Sequence, residues 1–426
     1  FRPALLTPIS VADVLSAFPA LALAAAVGAS ILLLSRRDRR AALRTFRLAF
    51  ALRAGMAVVL AFSFQFDDEA GLHAFAGGAG SSGGYVVVLG WLYAVFGVNL
   101  MVAKALNVLL GSLLVVVVAD LVAHRAEQRV ARWIALVCPP LVIYAAVNLK
   151  ETGTALLLVL GLAAVVRALH QDISIPRAAL YGASCGGALW FLRGAAWAGL
   201  VGLALAGGLA FELIASRRGR DRRRLLLIVP VFLVAVGFAG PALARTVRTE
   251  YVAQRVGNDR VTSYYVDRTY ATGSGVTGYL DTGDPLGARN LALLWGRGLF
   301  VPSPFRALTA PSSPRTVELA GTVGWYAVVF LGARGAARDW RSRGTPLLVG
   351  AALLLSFSTA SLSSLGADPA RHRLVVIPLL CALAAKSAGP RPPGGLVRLV
   401  PYGVLLGAAL YNGLWVLAFA RGGVGA

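Results

Sequence analysis

The sequence predicts an all-α integral membrane protein, a polytopic bundle of about twelve transmembrane helices. Of its 426 residues, 58% are hydrophobic and only 14% are charged, whereas soluble domains carry roughly 25% charged residues. The mean hydropathy is +0.72. The apolar residues also recur in runs of about 20, which is the length of helix that crosses a bilayer. We therefore expect one transmembrane domain over residues 1–426, with its core in lipid.

The apolar runs give the candidate spans in chain order. They cover residues 11–34, 48–64, 100–121, 132–148, 153–168, 178–193, 195–215, 225–243, 319–333, 345–363, 374–388 and 397–419. Two longer connections interrupt them. A first outer loop covers 65–99, and a long outer loop covers 244–318. Loops as long as the second are usually functional or disordered.

Clusters of arginine orient these spans. One cluster follows the first span, between Arg36 and Arg47, and another follows the seventh, between Arg217 and Arg224. Because arginine and lysine are enriched in cytoplasmic loops, both clusters are predicted to be cytoplasmic. The net charge of +22 has the same origin, since the basic residues fall in short groups between apolar runs. We therefore expect membrane lipids, and no nucleic acid, among the partners.

The apolar stretch Tyr85–Val98 decides the sidedness of every later loop. If it crossed the bilayer, the cluster between Arg217 and Arg224 would lie outside, against the usual distribution of positive charge. Segments this short are often interfacial, and an interfacial or re-entrant helix here keeps all the basic loops inside. Both termini then lie outside. The chain is predicted to be integral to the plasma membrane, with its active face on the non-cytoplasmic side.

An acidic segment follows the second span. Asp67, Asp68 and Glu69 are consecutive, and His73 comes shortly after them. Acidic residues in or near lipid are costly and usually functional. Asp also favours solvated helix starts, but three adjacent acids in an acid-poor chain favour a functional site. His73 either faces this site or lies on a helix surface.

Later loops on the same predicted face carry mostly basic residues. The basic ones are Lys150, Arg193, Arg371, His372 and Arg373, and the acidic one is Glu151. Arg193 lies in an apolar stretch where a charge is expensive, which favours a phosphate or carboxylate partner. Lys150 and Glu151 could instead form a plain interfacial ion pair, with the lysine reaching toward water. Arg371 and Arg373 could lie exposed in a short loop, although their outer location argues for ligand binding.

One carboxylate and several arginines at a membrane surface suit a particular substrate class. A carboxylate can act as general base toward a hydroxyl group. Guanidinium groups bind phosphate through paired hydrogen bonds and can stabilise the charge that develops on a leaving group. The combination predicts transfer of a sugar from a lipid-linked phosphate donor to a hydroxyl acceptor.

Motifs in this order resemble the GT-C superfamily of membrane glycosyltransferases, such as the protein O-mannosyltransferases and aminoarabinose transferases. The segment Phe66–Glu69 with His73 is similar to the family's first outer loop, which carries an Asp-Glu pair followed by Tyr or His. Further similar segments are Gly84–Gly97, Lys104–Gly111, Pro139–Glu151 and Arg371–Pro378. The resemblance covers most of the chain up to about residue 215 and again near 365–390.

The resemblance implies a polyprenyl-phosphate-linked sugar donor, an inverting transfer, and a glycan, lipid or protein acceptor. The family's base maps to Asp68; the additional acid Asp67 is a second candidate, and Glu69 completes the catalytic set. The residues that we assign to the donor phosphate are Lys150, Arg193, Arg371 and Arg373. Those that we assign to supporting roles are His73, Glu151 and His372.

Two other functions stay open at this point. One is a polyprenyl-linked glycan ligase or polymerase, with which the long loop 244–318 is compatible. The other is a lipid or solute transporter, although transporters usually place their binding sites near the bilayer midplane and show internal repeats. No metal is assigned, but adjacent acids such as Asp67, Asp68 and Glu69 could bind Mg²⁺ or Mn²⁺ through oxygen ligands.

Overall fold

A computed structural model of the chain describes residues 9–35, 38–63, 73, 76, 84–147, 149–215, 313–363, 373–388, 402, 403 and 406. Within these ranges the protein is helical and contains no strand. The helices are α1 Val11–Ser16, α2 Phe18–Ser35, α3 Arg39–Ser63, α4 Gly84–Phe96, α5 Leu100–Val118, α6 Arg125–Val137, α7 Pro139–Ala145, α8 Glu151–Leu169, α9 Ile175–Arg193, α10 Ala195–Ala215, α11 Ser313–Asp339, α12 Thr345–Ser363 and α13 Ile377–Lys386. Two 3-10 turns cover Ala119–Leu121 and Arg373–Val375.

Four stretches of this described part are long and apolar enough to cross a membrane. They are Val11–Ser35, Arg39–Phe62, Leu100–Leu121 and Glu151–Leu169. The last two are 83% buried inside the protein over their apolar windows, against 28% and 33% for the first two. Helices α5 and α8 therefore form the centre of the bundle, and α1 to α3 lie toward its periphery. An all-helical membrane protein is what these features support.

Several predicted spans match the observed helices closely. The prediction 153–168 corresponds to α8, 178–193 to α9, and 345–363 to α12. The prediction 48–64 starts too late, because α3 already begins at Arg39. Its arginines are good helix formers, so the helix continues beyond the apolar run. The predicted spans 225–243 and 397–419, and the loop 244–318 except for the start of α11, lie outside the described residues.

The predicted span 132–148 is wrong as a single helix. The structure divides it at Cys138 into α6 and α7. The cause is the pair Pro139-Pro140, because proline lacks an N–H and clashes with the preceding turn. Proline is well suited to the first turn of a new helix, and α7 begins at Pro139.

Arg53 compensates for this break from inside the bundle. In a continuous helix the carbonyl of Ala135 would accept a bond from the amide of residue 139, but Pro139 has none. Arg53 Nη2 donates to that carbonyl at 3.3 Å, and Nη1 donates to the Ala49 carbonyl at 3.3 Å. The Arg53 side chain is fully buried. It passes beside Gly111, where an added Cβ would lie 3.4 Å from Nε.

The short helix α4 is the stretch that we predict to be interfacial. Its 13 residues rise about 20 Å, which is less than the roughly 30 Å hydrocarbon core of a bilayer. It is not among the four long apolar stretches of the described residues. Its length thus agrees with a helix that does not cross, and its placement at the interface stays a prediction.

Close glycine contacts fix the direction of the later helices. A side chain on Gly332 would press on Leu380, and one on Gly335 would collide with the backbone at Leu383. The contacting residue numbers rise together, so α11 and α13 run parallel. Both end where Lys386 meets Asp339. We call this the inner end of the bundle, and the opposite end, where α8 begins and α9 finishes, the outer end.

Candidate functional site

The structure describes about half of the residues that the sequence nominates for the site. Lys150, Glu151, Arg193, Arg373 and His73 lie within the described ranges. The residues Asp67, Asp68, Glu69, Arg371 and His372 lie outside them. The assignments of this second group remain predictions from sequence.

Glu151 and Arg193 form a buried ion pair at the outer end. Arg193 Nη2 donates to Glu151 Oε1 at 2.9 Å, and the side chains are only 5% and 2% exposed. Glu151 lies in the first turn of α8, and Arg193 in the last turn of α9. The helix macrodipole favours an anion at the first position and a cation at the second. Arg193 therefore has the carboxylate partner that was one of its two predicted alternatives.

Gly194 holds Arg193 at this position. It has φ +87°, a conformation that costs glycine little, and its amide donates to the Trp190 carbonyl at 2.7 Å. Helix α9 ends there, and α10 begins at the next residue, Ala195. A left-handed glycine at a helix end is a common stop signal. The turn fixes the position of the Arg193 backbone, and with it the place from which the side chain extends.

Lys150 lies beside this pair, just before α8 begins. Burial lowers the pKa of its ammonium group, and the positive charge of Arg193 lowers it further, while Glu151 acts in the opposite direction. The carboxylate of Glu151 pairs directly with Arg193, and its charge also acts on Lys150. An ion pair between Lys150 and Glu151 alone therefore does not describe this group. The half-buried Lys150 and the buried pair Glu151 and Arg193 together carry two positive charges and one negative charge. We call these three residues the outer cluster.

The loop that carries Lys150 is held from two sides. The Asn107 side-chain amide donates to the carbonyls of Val147 at 2.5 Å and Leu149 at 2.9 Å. Thr152 Oγ1 donates to the Tyr144 carbonyl at 3.2 Å. Asn107 is fully buried in the central helix α5. The link between α7 and α8 is thus a fixed part of the bundle, which positions the outer cluster rigidly.

Helix α4 brings the first outer loop to the same end. Gly84, its first residue, packs so closely on the Phe191 carbonyl that a side chain there would collide with it. Phe191 is two residues before Arg193. His73 Nδ1 and Tyr93 Oη are 2.8 Å apart, and the two rings meet edge to face at 5.5 Å. His73 therefore contacts α4, the helix that follows the acidic segment in sequence.

Arg373 lies in the 3-10 turn before α13, stacked on an aromatic ring. Its guanidinium carbon is 4.8 Å from the centre of the Trp325 ring. Arg373 is 5% exposed and Trp325 is 2% exposed. The turn packs against α8, the helix that begins at Glu151. A desolvated cation–π contact holds the guanidinium over the ring, and an arginine can offer a phosphate paired hydrogen bonds.

Three residues that shape this region are not among the site residues predicted from sequence, although the segment Lys104–Gly111 is one of those similar to the family. Lys104 and Asn107 are fully buried in α5, and Trp325 lies under Arg373. A signal for Lys104 was present, because a lysine inside a long apolar run is expensive and usually functional. Asn107, three residues further along the same apolar run, could have been found in the same way. Nothing in the sequence around Trp325 distinguishes it from an ordinary interfacial tryptophan.

The charges of the outer cluster would suit an anion, because two cations accompany one carboxylate. Two cations at helix ends, with a stacked arginine on a neighbouring element, can neutralise a phosphate. Among the residues that the structure describes, no group of three histidine, cysteine or acidic side chains could hold a metal ion. The acidic segment 67–69, where Mg²⁺ or Mn²⁺ was considered, lies outside those residues.

Comparison of the chain with protein-family models and with curated proteins finds no match. The function therefore has to be argued from the residues and their geometry.

Proposed function

We propose that the protein is a GT-C-type membrane glycosyltransferase. It moves a sugar from a polyprenyl-phosphate donor to a hydroxyl group on a glycan, lipid or protein acceptor, at the non-cytoplasmic face of the plasma membrane. The transfer inverts the anomeric centre. The sequence resemblance supports this assignment, and the outer cluster supplies its strongest structural support.

The observation that carries the proposal is the buried Glu151–Arg193 pair at the outer end, with the half-buried Lys150 beside it. The Glu151 and Arg193 side chains are at most 5% exposed. Buried ion pairs contribute little to stability, since desolvation offsets their attraction. A cation beside such a pair adds to that cost, as the lowered pKa of Lys150 reflects. An anionic ligand at this point would relieve the repulsion between Lys150 and Arg193.

In the proposed reaction the acceptor hydroxyl attacks the anomeric carbon of the donor sugar. Asp68 takes the hydroxyl proton, with Asp67 as the second candidate base and Glu69 in the same acidic set. The new glycosidic bond forms as the bond between the anomeric carbon and the phosphate oxygen breaks. The polyprenyl phosphate leaves with both bonding electrons, and its charge is met by Lys150, Arg193, Arg371 and Arg373.

The supporting residues orient these groups. Glu151 holds Arg193 through the 2.9 Å bond, and a guanidinium offers five N–H donors, so a carboxylate-bound arginine can still meet a phosphate. His73 anchors the first outer loop on Tyr93. We assign His372 to the same supporting group through its place between Arg371 and Arg373.

The direct test measures transfer of labelled sugar from polyprenyl-phosphate donors in proteoliposomes. Asp68→Asn should lower turnover by about 10²–10⁴-fold, the usual contribution of a general base. Asp172→Asn is the matched control, because Asp172 is exposed in the turn after α8, at the inner end. Asp67→Asn, measured alongside, identifies which of the two acids is the base.

Wild-type turnover in a folded Asp68→Asn protein would remove Asp68 from the role of base. Movement of intact donor across the vesicle membrane, with no sugar transferred, would overturn the proposal in favour of a transporter. Formation of a lengthened lipid-linked glycan, with both sugars carried on polyprenyl, would favour the ligase or polymerase.

Sidedness is tested separately by single cysteines in a background without native cysteines. Gly71→Cys and Gly366→Cys are each expected to react with an impermeant maleimide added outside intact cells. A cysteine placed at Ser216, after α10, is the cytoplasmic control. Labelling of either outer position only after permeabilisation would contradict the proposed orientation.

A further inference from the structure

We propose that the inner end carries a second site, distinct from the outer cluster, for a phosphate-bearing anion. A cavity of about 600 Å³ opens there between α2, α3, α6 and α8. Cavities of this size are typical of small-molecule sites. The charged residues in its lining are Arg125, Arg129, Arg132, Arg167, Asp38 and Asp120. Counted over the lining residues that the structure describes, four positive and two negative charges give a net charge of +2.

Three of the arginines lie on one face of α6. Arg125, Arg129 and Arg132 are spaced by four and three residues, which places them in a row along a helix. Arg167 reaches the cavity from the last turn of α8. The cavity is therefore lined with guanidinium groups from two different elements. Topology explains basic residues at this end, but it does not explain why they converge on one cavity.

Arg132 shows that this is more than a solvated basic patch. The residue is only 9% exposed. Its Nη1 is 3.6 Å from Asp38 Oδ2, and the Asp38 side chain is 67% exposed, so that ion pair is long and weakly held. Within the described ranges, the buried Nε of Arg132 has no hydrogen-bond acceptor. A buried donor without an acceptor is costly, and an anion in the cavity would supply one.

The chemistry of the lining favours phosphate over other anions. All four bases are arginines, whose planar fork matches the oxygen geometry of a phosphate. The exposed carboxylate of Asp38, only weakly paired with Arg132, would accept a hydrogen bond from a hydroxyl group carried by the same ligand. A phosphate ester with a hydroxylated substituent therefore fits both parts of the wall.

Two sources could supply this chemistry. Trp133 and Val137, on the neighbouring face of α6, are 58% and 61% exposed. A helix with a basic face and an exposed apolar face is typical of the membrane interface, and basic pockets between spans on the cytoplasmic side bind anionic lipid headgroups. A soluble phosphate compound has the same group. The experiment separates the two sources.

The site does not belong to the proposed transfer reaction. Arg167 is 16 residues after Glu151 on α8, so the two positions are about 24 Å apart along the helix axis. Binding at the inner site can therefore be tested independently of sugar transfer at the outer end.

The test follows thermal unfolding of the full chain in nanodiscs at constant ionic strength. One series contains phosphatidylcholine with a rising fraction of phosphatidylglycerol. The other contains phosphatidylcholine alone, with rising sodium phosphate. We expect a saturable rise of the unfolding midpoint in the first series for a lipid headgroup, or in the second for a soluble phosphate. Either result supports the site.

The double variant Arg129→Gln with Arg167→Gln changes two exposed side chains of the cavity. It should raise the half-saturating amount of the active probe by about tenfold or more, since hydrogen bonds to charged groups are strong. Arg177→Gln with Arg341→Gln is the matched control. These two arginines are also exposed, lie at the same end, and are outside this cavity.

Two results would overturn the proposal. The first is the absence of a saturable rise with both probes in the wild-type protein. The second is an equal loss in the cavity variant and in the control, which would reduce the effect to general surface charge. Arg132→Lys adds a test at constant charge, because lysine lacks the guanidinium fork. Unchanged affinity in a folded Arg132→Lys protein would contradict recognition by that fork.

Discussion

The two ends of the bundle bury charge in different ways. At the inner end Lys386 Nζ donates to Asp339 at 2.9 Å and to Ser342 at 3.1 Å, with Glu127 at 3.9 Å. The two carboxylates are 28% and 15% exposed. At the outer end the carboxylate of Glu151 is 2% exposed and lies among cations. One ammonium meets two acids at the inner end, and two cations meet one acid in the outer cluster.

This difference separates a structural network from a candidate site. An ammonium has three donors, and the inner network gives Lys386 three partners close to solvent. Such a network joins the ends of α6, α11 and α13. The outer cluster places like charges together at low exposure, where they repel. A fold gains little from that arrangement, whereas a bound anion would relieve the repulsion.

The largest effect that this comparison predicts is on Glu151. Glu151→Gln removes the charge that compensates Arg193 while keeping the shape of the side chain. Breaking a buried ion pair in this way typically costs about 3–5 kcal/mol, so we expect a large loss of unfolding free energy in detergent. Glu151→Gln combined with Arg193→Gln should recover part of it. Equal losses in the single and double variants would contradict a direct interaction.

The next effect concerns Arg373 and its ring. Arg373→Lys keeps the charge but removes the guanidinium that lies 4.8 Å from the Trp325 ring centre, a cation–π contact worth up to about 2 kcal/mol when desolvated, and with it the paired hydrogen bonds that only arginine offers a phosphate. We expect the KM for the polyprenyl-phosphate donor to rise by roughly tenfold or more, with a smaller change in kcat. Arg338→Lys is the inner-end control, because Arg338 is likewise an arginine held by a contact within the bundle, its bond to the Ser387 carbonyl. A similar kinetic change in both variants would remove Arg373 from the donor site.

A smaller effect is expected at the inner network. Asp339→Asn removes one of the two acids near Lys386, but the Asp339 side chain is partly exposed and Glu127 remains. The cost should stay below the roughly 3–5 kcal/mol of breaking a buried pair, because Lys386, itself 5% exposed, keeps Ser342 and Glu127, and it should shrink further in high salt. Chemical unfolding at low and high salt measures both. A loss as large as that of Glu151→Gln would erase the distinction between the two ends.

The smallest effect is the pH dependence of stability, which should differ between the ends. At the inner end burial, Arg343 and Lys386 lower the pKa of His170, while Asp172 opposes them. The unfolded chain then binds the proton more tightly, so stability rises with pH up to the ordinary histidine value near 6.5. The pKa of Lys150 is lowered too, so its contribution makes stability rise with pH up to the ordinary lysine pKa of 10.5.

Unfolding midpoints measured from acid to alkaline pH separate these two contributions. His170→Gln should flatten only the acid part of the profile, and Lys150→Gln only the alkaline part. If the two variants gave the same profile, the assignment of one titration to each end would be wrong.

In the described part of the chain, hydropathy predicted the helix limits best where the sequence is uniformly apolar. Helices α8 and α12 lie within two residues of their predicted limits. The failure at 132–148 arose because mean hydropathy does not register the missing amides of Pro139 and Pro140. Charge in an apolar setting was enough to nominate Glu151 and Arg193. Their pairing depends on the antiparallel packing of α8 and α9, and the aromatic support of Arg373 on Trp325 depends on a contact between distant segments.

The link between Arg53 and the Ala135 carbonyl has a consequence for how the chain enters the membrane. The two residues are 82 positions apart. At roughly 5–20 residues per second, synthesis of that interval takes roughly 4–16 s. During this time an arginine near the middle of α3 costs about 2.5–3.5 kcal/mol in lipid. The Arg53 guanidinium therefore gains its acceptor at Ala135 only after α6 has been synthesised.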